Sequence, residues 1–167
     1  TSNAEQKQLK DKSIEYLHMA IEEIRKLSKE LVTPQLKEEN LANNIKALIE
    51  DIQLAGILKL SFNHKVKDEL LSSGKKITLF RIVQEQLKNI IKHSKATATQ
   101  ISLYSTEDTI VLVMKDNVKG FDPRQTRQGI GLSNIHERAQ FYNGTAEVKS
   151  SSGAGCTLTV TIPVKEN

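Results

Sequence analysis

Hydrophobic residues recur every three or four positions in several stretches of the chain, which is the spacing of an amphipathic helix. The most regular stretch, 79–94, carries its apolar side chains at Phe80, Val83, Leu87, Ile90 and Ile91. A second helix is predicted over 41–52 and should end near Gly56, because glycine readily takes the left-handed conformation that caps a helix. A third helix, predicted after 129, faces inward with Leu132, Ile135, Ala139 and Tyr142.

The first part of the chain has helical spacing over 5–32, with a narrow apolar seam. Such a seam predicts packing against a partner helix or against a second copy of the chain. Pro34 ends this helix, because the residue before a proline is pushed out of helical geometry. We therefore expect an appended helix over 1–33 and a domain over 34–167.

Shorter stretches have strand character, because β-branched and polar residues alternate between turn residues. They are 57–63, 100–105, 109–115, 145–150 and 156–164. The stretch 109–115 is apolar on both faces in its middle, which predicts a central strand. Helices and strand pairs in this order favour an α+β fold, a two-layer α/β sandwich in which helices cover one face of a mixed, mostly antiparallel sheet.

Composition and charge narrow the class of protein. The chain has 167 residues and is long enough to bury a hydrophobic core. Its net charge of +4 is spread over scattered lysines, which argues against direct binding of nucleic acid. Cys156 is the single cysteine, so no internal disulfide can form. No apolar run reaches membrane-spanning length, and we expect a cytoplasmic piece of a longer protein.

The predicted helix over 79–94 also carries a polar row. Glu85, Asn89 and His93 recur at every fourth position, so on a helix they lie on one side, and Lys92 is beside them. A carboxylate, an amide and an imidazole in line are suited to holding a metal–phosphate group, with one of them acting as a base. An ordinary solvated helix face is the other explanation of the same residues.

A second set of candidate residues follows the predicted central strand. Asp116 comes directly after that strand, and a carboxylate at the floor of a pocket can accept a hydrogen bond from the exocyclic amine of adenine. Gly129 and Gly131 open the next helix, where glycines let backbone N–H groups approach phosphates. A Gly-x-Gly pair alone is more often a turn, but here it accompanies the aspartate and the polar row.

Together these motifs resemble the ATP-binding catalytic domain of bacterial sensor histidine kinases, within the superfamily of gyrase, chaperone, histidine kinase and mismatch-repair ATPases. The family's asparagine box resembles E-Q-L-K-N-I-I-K-H-S, its first glycine box D-N-V-K-G-F-D, its second G-I-G-L, and its closing hairpin G-A-G-C-T-L-T-V-T-I-P. The second dimerisation helix of kinases that pair with LuxR-type response regulators resembles A-I-E-E-I-R-K-L-S-K-E-L-V-T-P. The implied fold over 34–167 is the Bergerat-type ATP-binding fold, preceded by that helix.

The resemblance implies roles for the polar row. Asn89 would bind Mg²⁺ through its side-chain oxygen, which is a hard ligand for a hard ion. Glu85 would orient or deprotonate the attacking imidazole, or organise the water around the metal. Lys92 and His93 would lie along the phosphates and offset their charge.

The resemblance also implies an adenine site around Asp116, which would bind the exocyclic amine. Thr157 would support Asp116 directly or through water, and Asn117 is a further candidate neighbour of the nucleotide. The other nucleotide-binding positions that the resemblance implies are Gly120, Gly129, Gly131 and Leu132.

Two departures from the family pattern bear on activity. Val118 stands where the family usually has glycine, and a β-branched residue tolerates positive φ poorly. Either that turn keeps an ordinary geometry or nucleotide binding is altered. The phosphoacceptor histidine of the family lies on a first dimerisation helix that has no counterpart in this sequence, and His18 on the second helix is not assigned that role.

Three functions are consistent with these residues. The favoured one is the ATP- and Mg²⁺-binding catalytic portion of a sensor histidine kinase. It would phosphorylate a histidine outside this chain, within a homodimer, for relay to the receiver domain of a response regulator. The alternatives are a nucleotide-binding regulatory module with little or no turnover, and an anti-sigma-type serine kinase or transducer ATPase. Whether the parent protein is tethered to a membrane stays open.

Overall fold

The computed structural model describes Lys12, 40–117, 130–150 and 155–165. The chain divides into two compact units, Thr1–Leu36 and Lys37–Asn167, and all the helices and strands given below belong to the second. Apart from Lys12, the helix expected over 5–32 lies outside the described residues.

The strands of the second unit are β1 (Lys59–Lys65), β2 (Ala98–Ser105), β3 (Thr109–Asp116), β4 (Thr145–Ser150) and β5 (Cys156–Pro163). They form a five-stranded sheet in the order β1-β2-β3-β5-β4. β1 pairs with β2 in parallel, and the other neighbouring strands pair in an antiparallel manner. The sheet is therefore mixed and mostly antiparallel, and β3 is its central strand, as the sequence predicts.

The described helices are α1 (Leu41–Leu54), α2 (Ser73–His93) and α3 (Ile130–Gln140), with a 3₁₀ turn at Asp68–Leu70. Asn40 caps α1, because its side-chain oxygen accepts a hydrogen bond of 2.9 Å from the Ala42 N–H. Gly56 follows α1 with a φ of 68°, so the left-handed glycine expected after this helix is confirmed.

Helix α2 begins at Ser73, well before the position that the hydrophobic pattern predicts. Ser72 caps it, and its hydroxyl accepts a hydrogen bond of 3.4 Å from the Lys75 N–H. Lys75 looks like a surface residue in the sequence, yet it is buried. Its ammonium donates to the Val164 carbonyl at 2.8 Å and lies 5.8 Å from the centre of the Tyr142 ring. Because a buried lysine occupies the first turn, the hydrophobic pattern does not predict the start of this helix.

The core lies between the helices and one face of the sheet. Alternate residues of the three inner strands are fully buried, and they are Ile101, Leu103, Ile110, Leu112, Met114, Leu158, Val160 and Ile162. The helices cover them with side chains that include Leu79, Ile82, Leu87, Ile135 and Ala139. Helices on one face of a mixed sheet confirm the α+β two-layer fold.

Some residues of the predicted helical stripes are less buried than expected. Ile91 was expected in the apolar stripe of α2, but it is 38% exposed, whereas Ile90 on the same turn is buried. Leu132 and Tyr142 are only half-buried, and α3 ends at Gln140, before Tyr142 is reached. The inward face of α3 is therefore carried by Ile135 and Ala139.

Candidate functional site

The polar row on α2 meets the start of α3. Glu85 and Asn89 are half-buried, and Gly131, in the first turn of α3, lies directly against them. A Cβ atom added at Gly131 would be 2.6 Å from Glu85 Oε1 and 2.7 Å from Asn89 Oδ1. Both distances are shorter than real contacts of a Cβ atom, so only glycine fits at 131 without displacing these side chains. The structure thus brings three predicted site residues together.

The outer part of the polar row is more open. Lys92 and His93 are exposed on the last turn of α2, where cationic side chains also complement the negative end of the helix dipole. Lys88 reaches Glu85 Oε2 at 3.7 Å, a distance typical of a weak, solvent-exposed ion pair. The half-buried end of the row, Glu85 and Asn89, is therefore the part that faces α3.

Asp116 ends β3 with its side chain on the helix side of the sheet. Its carboxylate is 4% exposed, and it continues the buried series of Leu112 and Met114 on that face. Its neighbours across the sheet are Thr99 on β2 and Cys156 on β5. The polar row on α2 also belongs to the helix layer, so Asp116 and the row lie on the same side of the sheet.

The strand pairing fixes how closely Thr99 approaches Asp116. The Asn117 N–H donates to the Ala98 carbonyl at 3.2 Å, which makes these two residues a hydrogen-bonded pair of the antiparallel ladder. The next pair, Thr99 and Asp116, is therefore of the non-hydrogen-bonded kind, in which Cα atoms are only about 4.5 Å apart and side chains are closest.

A cavity of about 550 Å³ lies at this end of the sheet, within the usual range for a small-molecule site. The described residues that line it are Lys59, Leu60, Ser61, Ala98, Thr99, Gln100, Lys115, Asp116, Asn117 and Gly155. Strand alternation places Thr99 and Asp116 on its helix side and Gln100 and Lys115 on the open face. The described residues that line the cavity therefore come from both faces of the sheet, and Asp116 is among them, whereas Glu85, Asn89 and Gly131 are not.

Cys156 is buried and is the neighbour of Asp116 on β5. Burial and the nearby Asp116 carboxylate raise the pKa of its thiol to about 11, against a smaller opposing effect of a hydrogen bond with Ser150. The thiol is thus protonated at neutral pH. The position of Cys156 could have been predicted from the sequence, because residues two apart in a strand share a face and Leu158 is an apolar residue of the same strand.

Thr157 was expected to support Asp116, and the strand register does not bring them together. Thr157 pairs with Lys115, whereas Asp116 pairs with Cys156. Adjacent residues of a strand point to opposite faces, so the Thr157 side chain is directed away from the face that holds Asp116. On the face that holds Asp116, the register places Cys156 beside it, because neighbouring positions of a strand alternate between the two faces.

Asn117 has a structural role that accounts for its side chain. Its side-chain oxygen accepts hydrogen bonds from the N–H groups of Thr97 and Ala98, at 2.9 and 3.0 Å. Its amide nitrogen donates to the Thr97 hydroxyl at 2.9 Å. Asn117 therefore ties the end of β3 to the start of β2. The other positions named from the sequence, Gly120, Gly129, Val118 and His18, lie outside the described residues.

The fold and the arrangement of these residues agree with a protein family. The chain belongs to the histidine kinase-, DNA gyrase B- and HSP90-like ATPases, and it matches that family over residues 74–166. The match spans α2, with its polar row, and reaches β5.

The individual relatives include a signal transduction histidine kinase and sensor proteins. The chain is 30% identical over 150 residues to the signal transduction histidine-protein kinase/phosphatase UhpB of Salmonella typhimurium, covering 88% of this chain and 30% of that protein. It is 33% identical over 145 residues to the sensor protein VraS of Staphylococcus saprophyticus, covering 86% of this chain and 41% of that protein. This chain thus spans less than half the length of either relative.

Among solved structures, the fold resembles the histidine kinase domain of the blue-light activated histidine kinase from Erythrobacter litoralis EL346. The TM-score is 0.59 with 17% sequence identity, over 74% of this chain and 63% of that one. A likeness at this identity concerns the fold alone. Across the residues that the structure describes, no helix combines the length and the hydrophobicity needed to cross a membrane.

Proposed function

We propose that this chain is the ATP-binding catalytic portion of a two-component sensor histidine kinase, which transfers the γ-phosphate of ATP to a histidine outside this chain. The observation that carries the proposal is the contact of Gly131 with Glu85 and Asn89. Gly131 lies against the polar row, on the side of the sheet that holds Asp116. The histidine kinase and the sensor protein among the relatives support the same function.

The oxygens of Glu85 and Asn89 fit a magnesium–phosphate site. Both lie within 2.7 Å of one point above Gly131, so the two oxygens converge from neighbouring turns of α2. Mg²⁺ prefers such oxygen ligands and usually takes one or two protein groups together with substrate phosphates. We propose Asn89 as the metal ligand. When bound, the ion would neutralise charge on the phosphates.

The remaining roles are assigned to the residues by their place. Glu85, beside Asn89, would orient or deprotonate the attacking imidazole of the acceptor histidine. Asp116, buried at the floor, would accept a hydrogen bond from the exocyclic amine of adenine. Lys92 and His93, exposed at the end of α2, would offset phosphate charge. Among the motif positions, Gly120, Gly129, Gly131 and Leu132 would frame the nucleotide.

The proposal extends to the partners of the intact protein. The segment 1–33 would be the second helix of a dimerisation domain, and 34–167 the catalytic domain. The intact kinase would be a homodimer that passes its phosphoryl group to the receiver domain of a response regulator. We place this portion in the cytoplasm, with no direct contact to nucleic acid.

The proposal is tested by phosphotransfer in trans. The chain is mixed with Mg²⁺, γ-labelled ATP and a separate segment that carries the acceptor histidine of a related kinase. We expect acid-labile label on that segment, and its loss in Asn89→Ala. The control is Asn43→Ala, which removes an exposed asparagine on α1 and should leave transfer unchanged. Tight ATP binding without transfer would instead support a regulatory nucleotide-binding module, and no ATP binding would refute both functions.

A further inference from the structure

Thr99 has a buried hydroxyl that the fold does not use. The residue is 3% exposed, and within the described part of the chain its Oγ1 atom has no hydrogen-bond partner. A buried hydroxyl without a partner destabilises a folded chain, whereas a valine of nearly the same shape at that position would not. Buried polar groups in native proteins nearly always have a partner, so an unpaired hydroxyl beside Asp116 is a candidate for contact with a bound ligand.

The surroundings of Thr99 indicate what kind of ligand would do so. Thr99 lines the cavity at the end of the sheet and stands beside Asp116 in a non-hydrogen-bonded strand pair. A carboxylate can only accept hydrogen bonds, whereas a threonine hydroxyl can also donate one. The two side chains thus present an acceptor next to a donor.

We propose that the Thr99 hydroxyl is a specificity-determining group that donates a hydrogen bond to a ring nitrogen of adenine. That nitrogen is next to the exocyclic amine, from which Asp116 accepts a hydrogen bond. This inference rests on the proposed function. The exocyclic amine of adenine is a donor flanked by acceptor nitrogens, N1 on one side and N7 on the other. Guanine reverses the pattern at this edge, since its O6 is an acceptor and its N1 carries a proton. The pair of Thr99 and Asp116 would therefore favour adenine over guanine.

The test pairs a protein substitution with a change in the ligand. Titration calorimetry measures the affinity of the full chain for ADP, 1-deaza-ADP and 7-deaza-ADP, in which one ring nitrogen is replaced by carbon. For the wild type we expect one of the two analogues to bind roughly fivefold to tenfold more weakly than ADP, the loss of one neutral hydrogen bond. In Thr99→Val, ADP should weaken by a similar factor and that analogue should bind as well as ADP. Which analogue responds distinguishes N1 from N7.

Further variants separate a lost contact from a damaged fold. Thr99→Ser keeps the hydroxyl and should keep the wild-type preference for ADP. Thr159→Val makes the same change on β5, where Thr159 pairs with Val113, and should leave every affinity unchanged. Thr99→Val should unfold at the same temperature as the wild type or a higher one, because it removes an unsatisfied buried hydroxyl.

The role of Thr99 is refuted, while the proposed function stands, if ADP binds the wild type and Thr99→Val equally well. The same holds if the binding of both analogues is weakened equally in the two proteins. If the wild type does not bind ADP, the proposed function itself fails. A preference for GDP over ADP in the wild type would also overturn the assignment of donor and acceptor.

Discussion

Replacing Gly131 with alanine should damage the proposed phosphate site while leaving the fold nearly as stable as before. The new Cβ atom would lie 2.6 Å from Glu85 Oε1, and 2.7 and 2.8 Å from the oxygen and nitrogen of the Asn89 amide. Comfortable contacts begin near 3.5 Å, so these groups must retreat by about 0.7–0.9 Å. The atoms that move are the ends of two flexible side chains, and they are also the groups proposed to hold the metal and the acceptor.

The two consequences differ in sign and size. Alanine is a better helix former than glycine by up to about 1 kcal/mol, which offsets the displacement, so we expect the free energy of unfolding to change by less than about 1 kcal/mol. A catalytic group misplaced by about 1 Å can reduce the rate on the order of 100-fold, equivalent to about 2.7 kcal/mol in the barrier. Phosphotransfer should therefore fall far more than stability does.

The assay combines thermal unfolding with phosphotransfer in trans and with ADP titration in the presence and absence of Mg²⁺. The matched control is Gly144→Ala, whose Cβ would meet the Thr161 carbonyl and lie 3.0 Å from the Ala139 carbonyl. Backbone carbonyls cannot retreat, so that variant should lose stability. In the double variant Gly131→Ala with Asn89→Ala, the two losses of transfer should not add, because both act on one site.

If Gly131→Ala transferred phosphate at the wild-type rate with unchanged dependence on Mg²⁺, the role of Gly131 in the proposed site would be refuted. A large drop in unfolding temperature would also contradict that role, because it would show that the contact between α3 and α2 supports the fold rather than the site.

Further predictions concern the buried polar groups. Burial and Asp116 raise the pKa of the Cys156 thiol from 9.0 to about 11, so its stabilising contribution is complete below pH 9 and is lost as the pH rises towards 11. The free energy of unfolding, measured in denaturant at pH 8 and pH 10, should therefore decrease less in Cys156→Ser than in the wild type. Lys75→Ala should lower the free energy of unfolding by about 2–3 kcal/mol, because the Val164 carbonyl loses a charged donor, while Lys76→Ala, which removes only a partly exposed pair with Asp68, should lower it by less than about 1 kcal/mol. Asn117→Ala should lower it by about 1.5–3 kcal/mol through the lost hydrogen bonds to Thr97 and Ala98, and amide hydrogen exchange should increase at the start of β2.

Most of the fold follows from the sequence because the strands have clear alternation and the turns have typical residues. β4 was predicted with its observed bounds, and β2 and β3 within two residues at their ends. The start of α2 was not predictable in the same way. Its first turn depends on Lys75, whose burial is stabilised by a carbonyl about ninety residues further along the chain. A hydrophobic pattern carries no information about such a distant partner.

The candidate site was predictable in its residue types and less so in its geometry. The spacing of Glu85 and Asn89 reveals a helical row, and the position of Asp116 at a strand end reveals a buried carboxylate. The neighbours of Asp116 depend on strand register, and a shift of one residue exchanged Cys156 for Thr157. Thr99 gave no signal in the sequence, because a threonine in a strand is ordinary until its hydroxyl is found buried and unused.

The parallel pairing of β1 with β2 bears on how firmly one side of the proposed nucleotide site is held. Parallel neighbours need a crossover, and here the crossover contains α2, so both ends of the helix that carries the polar row are anchored to adjacent strands. Helix α3 instead precedes β4, the strand at the far edge of the sheet. Under the proposed function, we therefore expect nucleotide exchange to widen the gap at Gly131 by displacing α3, while Glu85 and Asn89 keep their position relative to Asp116.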